Sequence, residues 1–257
     1  MILNYNRIKI VTFSSGEFVF LPTMCKILSI ETATDVCSVV IADGEQILAR
    51  REEPQGRSHA SLLSVFIGEV FKDTGIQAGD LDAVAVSKGP GSYTGLRIGV
   101  STAKGICYGI NKPLISVCSL ESMCSGMLSD PDLKDSIGEK TVLLPMIDAR
   151  RMEVYTAFYD RKRTLLKDIH ARIIEREDFV ELSRNRELLL FGSGADKLVP
   201  VLNIPGIRIE SGFRLSASYM VSLALKKFRN RQYENLAYFE PFYLKNFITT
   251  VPKKKII

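Results

Sequence analysis

The chain has 257 residues and is 46% hydrophobic, which is enough apolar material to fill the core of one large domain or of two small lobes. Its 34 basic and 29 acidic residues give a net charge of +5, a mild excess that does not indicate a dedicated nucleic-acid-binding protein. Part of that excess lies in Lys253, Lys254 and Lys255, which we expect to form a solvated basic tail. No run of 18 apolar residues occurs, so no transmembrane helix is predicted.

The N-terminal residues predict an extension ahead of the folded body. An apolar patch at residues 8–13 is interrupted by polar residues and no small-residue cleavage site follows it, so a signal peptide is not indicated. Because Met24 directly precedes the first convincing strand, we expect residues 1–23 to be an upstream extension, consistent with a misassigned start.

The cysteines predict a reducing environment. No CxxC pair occurs among the five, and four of them lie in apolar or small-residue segments, as reduced core thiols do. These residues are Cys25, Cys37, Cys107, Cys118 and Cys124. We therefore expect the protein to be cytoplasmic.

Three strands and a helix open the predicted body. Strands are expected at residues 26–30, 36–42 and 46–50, with a hairpin at Asp43-Gly44 between the last two. A helix is expected at residues 59–73, capped by Ser58 and ended by Gly75. Its apolar positions form one broad stripe that must pack on something: Leu62, Leu63, Phe66, Ile67, Val70 and Phe71.

A glycine-rich loop follows, between an apolar run at residues 81–86 and a second predicted helix at residues 95–108. The loop consists of Gly89, Pro90, Gly91, Ser92, Tyr93, Thr94 and Gly95. It lacks the Gly-Lys-Ser/Thr triplet of a P-loop, its glycine spacing differs from a dinucleotide fingerprint, and it is not a nucleophile elbow. Either it aims backbone N–H groups at a ligand, or it is a tight turn in which Ser92 or Thr94 caps the helix.

The second helix is apolar or small on both sides. Leu96 and Val100 lie on one side, whereas Ile98, Ser101 and Gly105 lie on the other. Glycine inside a helix costs stability, so it indicates close approach by another element. That element is either the first helix of the same chain or a helix of a partner.

The second half of the chain repeats this plan. Strands are expected at residues 142–147, 153–159 and 164–166, then a helix at residues 176–183 and a strand at residues 187–191. Gly192-Ser193-Gly194-Ala195 then opens another helix. Two copies of a β-β-β-α-β-α unit predict an α/β protein with the actin-like, or ribonuclease H-like, two-lobed fold. We expect the first lobe at residues 24–128 and the second, with a C-terminal helix and the basic tail, at residues 129–257.

Five segments in order carry a family resemblance that covers about residues 24–244. They resemble the TsaB family of bacterial tRNA threonylcarbamoyladenosine biosynthesis proteins, which is glycoprotease-like and has the actin-like fold. The segments are Lys26-Ile-Leu-Ser-Ile-Glu-Thr-Ala, Arg57-Ser-His, the run from Gly89 to Gly99, Asp148-Ala-Arg-Arg-Met-Glu-Val-Tyr and Gly192-Ser-Gly-Ala.

The resemblance implies a scaffold subunit without catalytic activity or a cofactor of its own. It implies a heterodimer with the catalytic paralogue TsaD, which threonylcarbamoylates the adenosine beside the anticodon. The ATPase TsaE would join this pair. The chain would contact tRNA only indirectly, through the complex. The partners would meet through the first two helices of each, and a homodimer is the alternative when the chain is alone. The expected contact residues are Leu62, Leu63, Phe66, Ile67, Val70, Arg97, Ile98, Ser101 and Gly105.

The residues themselves bear on catalysis. Ser119 and Met123 stand where the catalytic paralogue has an HxxxH metal pair, and neither suits a divalent metal, so no metal site is expected. Glu31 and Asp148 correspond to the paired acids of actin-like ATPases, which leaves a stand-alone ATPase or hydrolase as the alternative. Against it, no glycine follows Glu31, and Arg150 and Arg151 could neutralise Asp148.

Overall fold

The computed structural model describes residues 2–5, 8–12, 18–22, 25–53, 58–173, 175–184, 186–200 and 202–245. Met24, Arg57 and the basic tail at residues 253–255 lie outside the described residues. Within the predicted extension, three strands form an antiparallel sheet in the order β1-β2-β3. They are β1 (Ile2–Tyr5), β2 (Ile8–Thr12) and β3 (Phe18–Pro22).

The first repeat builds a five-stranded sheet in the order β6-β5-β4-β7-β8. β4, β5 and β6 are antiparallel neighbours, whereas β7 pairs parallel with both β4 and β8. The strands are β4 (Lys26–Glu31), β5 (Cys37–Asp43), β6 (Gln46–Glu53), β7 (Ala83–Gly89) and β8 (Leu114–Cys118). Two helices, α1 (His59–Thr74) and α2 (Tyr93–Ile110), pack on this sheet through one shared apolar core.

The second repeat builds a sheet with the same order and the same directions, β11-β10-β9-β12-β13. The strands are β9 (Val142–Asp148), β10 (Glu153–Tyr159), β11 (Leu165–Ile173), β12 (Leu188–Phe191) and β13 (Ile207–Glu210). The remaining helices are α3 (Ser119–Ser129), α4 (Arg176–Ser183), α5 (Ser193–Asp196) and α6 (Val221–Arg229), and three short 3-10 turns lie at Ala78–Asp80, Lys134–Ser136 and Ala217–Met220. The predicted duplication and the actin-like α/β architecture are confirmed.

Several element ends differ from the predictions for local reasons. α2 begins at Tyr93 rather than residue 95, because Ser92 already takes the N-cap position. α5 has only four residues, so the helix expected after Gly192 is a single turn. β11 runs to Ile173, well past the predicted residue 166, because it follows the full length of β10.

α1 shows how its sequence sets both its ends and its packing. Gly75 ends it in the left-handed conformation, with φ of 67°, and its N–H donates to the carbonyl of Phe71, as predicted. Ser58 takes the N-cap position but its side chain makes no capping hydrogen bond, so that part of the prediction is wrong. Leu63 and Val70 are fully buried against the first sheet.

Each repeat contributes one helix to a core formed with the sheet of the other repeat. α3, at the end of the first repeat, packs Leu120 and Met123 into a core with Leu143 and Ile147 of the second sheet. α6, at the end of the second repeat, packs Leu223, Ala224 and Leu225 against Ile115 and Val117 of the first sheet. The C-terminal helix therefore covers the first sheet, and the lobe boundary near residue 128 stays a prediction.

All five cysteines are free and buried, as core thiols should be. Burial raises the pKa of Cys118 and Cys124, which keeps both thiols protonated at neutral pH. In the part of the chain that the structure describes, no helix is both long and apolar enough to cross a bilayer.

Candidate functional site

The glycine loop joins β7 to α2, and two of its N–H groups donate within the chain. Gly89 has φ of 106°, a conformation that favours glycine. Ser92 Oγ accepts a hydrogen bond of 3.3 Å from the N–H of Gly95, which confirms Ser92 as the cap of α2. The N–H of Ser92 donates to the carbonyl oxygen of Ala33 at 2.7 Å. These two donors are therefore not available to a ligand.

The loop glycines are needed because the β4–β5 turn lies directly against them. A Cβ at Gly91 would collide with the backbone of Ala33, and one at Gly95 would collide with the carbonyl oxygen of Thr32. A Cβ at Gly99 would overlap the side chain of Thr32. Thr32 Oγ1 also donates a 2.8 Å hydrogen bond to the carbonyl of Gly95. Of the two readings left open by the sequence, the packed turn fits this geometry.

The other loop residues vary in exposure. Gly89 and Pro90 are buried, Tyr93 is half-buried, and Ser92 and Thr94 are exposed. No histidine or lysine hydrogen bond to Ser92 or Thr94 occurs among the described residues.

Glu31 ends β4 beneath this turn and is fully buried. Its Oε1 accepts a 2.7 Å hydrogen bond from the N–H of Ala33, which folds the carboxyl back on its own turn. Burial raises the pKa of Glu31 to about 7, although the hydrogen bond from Ala33 opposes that shift. Its Oε2 is buried with no hydrogen-bond partner among the described residues. The carboxyl is therefore a buried part of the turn and does not face solvent.

Asp148 ends β9 at the equivalent turn of the second repeat but is exposed. Lys197 Nζ lies 2.6 Å from its Oδ1 and also donates to the carbonyl oxygens of Arg151 and Glu153 at 2.7 and 3.2 Å. The expectation that Arg150 and Arg151 neutralise Asp148 with their side chains is wrong, because Lys197 forms the ion pair with Asp148. The backbone N–H of Arg150 donates to Asp148 at 2.6 Å, while Lys197 supplies the positive charge.

A C-terminal segment, residues 234–245, connects the glycine loop to the second sheet. At the loop, the N–H of Phe242 donates to the carbonyl of Lys88 at 2.7 Å. At its far end, Lys245 forms an ion pair with Glu153, at the start of β10. The sequence reasoning missed this connection, since the segment has no periodic pattern that would mark it.

The same segment engages two residues at the start of α2. The rings of Tyr243 and Tyr93 lie 4.8 Å apart, and the Arg97 guanidinium lies 4.3 Å from the centre of the Tyr93 ring. Arg97 Nε also donates to Tyr243 Oη at 3.3 Å. A Cβ at Gly89 would come within 2.8 Å of the carbonyl oxygen of Phe242. Arg97 is exposed, as a partner contact requires, but its Nε already donates to Tyr243 of this segment.

The predicted contact residues of α1 divide by exposure. Leu63 and Val70 are 2% and 0% exposed, so they belong to the core of this chain and are removed from the predicted contact surface. Leu62, Phe66 and Ile67 are half-buried against the same core.

The predicted contact residues of α2 are more open. Ile98 is half-buried, whereas Ser101 and Gly105 are exposed one turn apart. Among the described residues, none lies within 4 Å of a Cβ placed at Gly105 or Gly109, or at Gly68 on α1. We call the exposed sides of these helices the α1–α2 face, which consists of Val65, Gly68, Ser101, Gly105, Tyr108 and Gly109.

The side chains at the paralogue's metal positions are core residues. Ser119 and Met123 are fully buried, and Ser119 Oγ lies 2.7 Å from Ser87 Oγ. The two histidines lie beside main-chain carbonyls, His59 at 3.3 Å from that of Val36. Across the described residues, no group of three or more His, Cys, Asp or Glu side chains could hold a metal ion.

Comparisons with known proteins agree with this architecture. Residues 46–191, more than half of the chain, match the family model of TsaD, tRNA N6-adenosine threonylcarbamoyltransferase. The chain is 29% identical over 229 residues to the tRNA threonylcarbamoyladenosine biosynthesis protein TsaB of Escherichia coli, covering 86% of this chain and 95% of that protein. It is also 29% identical over 188 residues to TsaB of Bacillus subtilis, covering 73% of this chain and 78% of that protein.

A solved structure shares the fold. YeaZ from Pseudomonas aeruginosa superimposes with a TM-score of 0.70 at 20% identity, covering 86% of this chain and all of that one. The five matching segments, the duplicated sheets and these relatives lead to one conclusion: the chain belongs to the TsaD-like family, as a TsaB-type protein of tRNA threonylcarbamoyladenosine biosynthesis.

Proposed function

We propose that the protein is a non-catalytic subunit that supports threonylcarbamoyl modification of the adenosine beside the anticodon in tRNA. It would do so by pairing through the α1–α2 face with a catalytic paralogue of the TsaD type, and the ATPase TsaE would join that pair. Cytoplasmic location is part of this proposal.

The observation that carries the proposal is the contrast between two sets of glycines on one helix. Gly95 and Gly99 of α2 are packed against Thr32, so the fold itself requires them. Gly105 and Gly109 face open space, and nothing in the described chain requires a glycine there. Because a glycine inside a helix costs up to about 1 kcal/mol, the presence of Gly105 supports close approach by a partner helix.

Two further observations weigh against the alternative of a stand-alone ATPase. The β4–β5 turn is packed into the glycine loop and its acid, Glu31, is buried and hydrogen-bonded to its own turn. The acid of the second turn, Asp148, is held by Lys197. A nucleoside triphosphate with magnesium needs exposed carboxylate oxygens, and backbone N–H groups free to bind phosphate, at such turns.

Pairing can be tested with a matched pair of glycine substitutions. Gly105→Leu places a bulky side chain on the α1–α2 face, where the isolated protein has space for it. Gly79→Leu does the same at another glycine with nothing within 4 Å, outside both helices. Size-exclusion chromatography with light scattering should show a heterodimer with the paralogue for the wild type and for Gly79→Leu. We expect the interface of that heterodimer to bury about 1,600 Å² or more.

For Gly105→Leu we expect the apparent affinity for the paralogue to fall at least about tenfold, with a thermal unfolding midpoint no lower than that of the wild type, because leucine favours a helix more than glycine does. Heterodimer formation by Gly105→Leu at wild-type affinity would exclude this face as the contact. Reconstituted tRNA modification, with each of the three proteins omitted in turn, then tests whether pairing serves the modification.

A further inference from the structure

A pocket with an excess of positive charge lies at the end of α6, away from the α1–α2 face. Its volume is about 270 Å³, and the β5–β6 turn, the β10–β11 turn and α6 all contribute to it. Three cationic side chains, Arg163, Lys226 and Arg229, line it together with one acidic side chain, Glu45. We call this site the basic pocket.

Arg163 is held in place at the wall of the basic pocket. It occupies a left-handed backbone conformation, with φ of 64°, in the turn between β10 and β11. Its Nη1 donates to Ser125 Oγ on α3 at 3.0 Å, and Ser125 Oγ lies 3.4 Å from Ser222 Oγ on α6. A guanidinium that is already ordered loses less conformational entropy when it binds an anion.

Two neighbouring lysines of α6 differ in their surroundings, and one of them, Lys226, lines the basic pocket. Lys227 turns inward, where its Nζ donates to the carbonyl of Ser116 at 2.7 Å and burial lowers its pKa. Its neighbour Lys226 is exposed and lines the pocket. Cations in the last turn of a helix are favourable with its dipole, but Arg163 comes from another element, so the dipole does not account for the cluster.

We propose that the basic pocket binds phosphate groups of the tRNA backbone, so that the chain contacts RNA directly. Three cations against one carboxylate favour a polyanion, and the hydroxyl and amide of Ser222 and Asn230 suit phosphate oxygens. None of the described residues that line the pocket is aromatic, so the site would bind backbone rather than stack bases. The family's process acts on tRNA, which supplies the partner, and the inference does not depend on the α1–α2 face.

The test measures binding of fluorescently labelled tRNA to the full chain by anisotropy, from 50 to 300 mM salt, with four proteins. They are the wild type, the double variant Lys226→Gln/Arg229→Gln, the variant Glu45→Gln, and a control Lys140→Gln/Arg184→Gln that removes two exposed cations outside the pocket.

We expect the pocket double variant to lose on the order of tenfold in affinity at 0.1 M salt, and its plot of log affinity against log salt to flatten by about 2. Glu45→Gln should bind more tightly, because it removes the one opposing charge of the pocket. The control should lose markedly less affinity than the pocket variant.

Equal losses in the control and the pocket variant would overturn the proposal, because the attraction would then be general to the surface. Binding of inorganic phosphate, measured by its competition with the labelled tRNA, distinguishes a site for the RNA backbone from a site for small anions. Loss of inorganic phosphate binding in the pocket variant, with tRNA binding unchanged, would identify a small-anion site and overturn the RNA assignment. Heterodimer formation, measured in parallel, reports separately on the proposed function.

Discussion

The two repeats place an acid at the same turn and treat it in opposite ways. In the first repeat Glu31 is fully buried and hydrogen-bonded to Ala33, beneath a turn that packs into the glycine loop. In the second repeat Asp148 is exposed and paired with Lys197. The two carboxylates at equivalent turns are therefore engaged differently, one through burial and one through an ion pair.

The two repeats share their architecture but not the surroundings of their acids. The sheets share order, direction and turn position, so the backbone alone would suggest a two-acid nucleotide site. The N–H of Ala33 is the partner of Glu31 Oε1, and Glu31 Oε2 is buried with no hydrogen-bond partner among the described residues, whereas Lys197 and the N–H of Arg150 engage Asp148 Oδ1. The same sheet plan thus gives its two acids different surroundings, and the plan alone does not assign a function to either carboxylate.

The largest expected effect comes from breaking the packed first turn. Gly95→Ala would drive a Cβ into the carbonyl oxygen of Thr32, a backbone atom that cannot easily move. We expect the free energy of unfolding, measured by urea denaturation, to fall by about 3 kcal/mol or more.

The matched control for Gly95→Ala lies on the same helix. Gly105→Ala meets nothing within 4 Å and should stabilise the isolated protein by about 0.5–1 kcal/mol, because alanine favours the helix. Similar losses in both variants would show that the close approach of the turn is not what requires Gly95.

An intermediate effect is expected from the buried acid. The pKa of Glu31 is raised from 4.5 to about 7 in the folded protein, so the folded state binds the proton more tightly than the unfolded state. The free energy of unfolding should therefore fall as pH rises from about 4.5 to about 7, by at most about 3 kcal/mol, and the loss should be complete above that range.

Glu31→Gln tests this assignment, since the amide oxygen can still accept from Ala33 but cannot titrate. The difference in unfolding free energy between the wild type and Glu31→Gln should change with pH over that range in favour of the variant at neutral pH. A constant difference from pH 4.5 to 8 would mean that Glu31 is not desolvated.

The smallest effect is expected at the second turn. Lys197→Ala removes an ammonium that donates to Asp148 and to two carbonyls, and we expect a loss of about 1 kcal/mol in unfolding free energy. Asp148→Asn removes only the ion pair and should cost less, because that side chain is 43% exposed. A larger loss for Asp148→Asn than for Lys197→Ala would reverse the roles assigned to the two groups.

The sequence predicted the local features of the fold well. The alternation of apolar residues and the turn chemistry were sufficient for the duplicated plan, for β10 at Glu153–Tyr159 and for α4 at Arg176–Ser183. The Ser92 cap was also predictable, because capping depends on residues within one turn.

The features that the sequence did not predict depend on distant contacts. Lys197 reaches Asp148 across 49 positions, and α6 crosses to the first sheet, neither of which leaves a local pattern. The loop glycines posed a different problem. A glycine can supply a positive φ, a site for a ligand or room for a neighbouring backbone, and only the position of Thr32 and Ala33 distinguishes these uses.

The most direct test of the central claim is ATP turnover by the purified full chain with Mg²⁺, in the absence of its paralogue and of TsaE. We expect no turnover above a protein-free blank, and the same null rate for Glu31→Gln and for Asp148→Asn. Turnover that the wild type shows and that either substitution abolishes would contradict a purely structural role, because that carboxylate would then be catalytic.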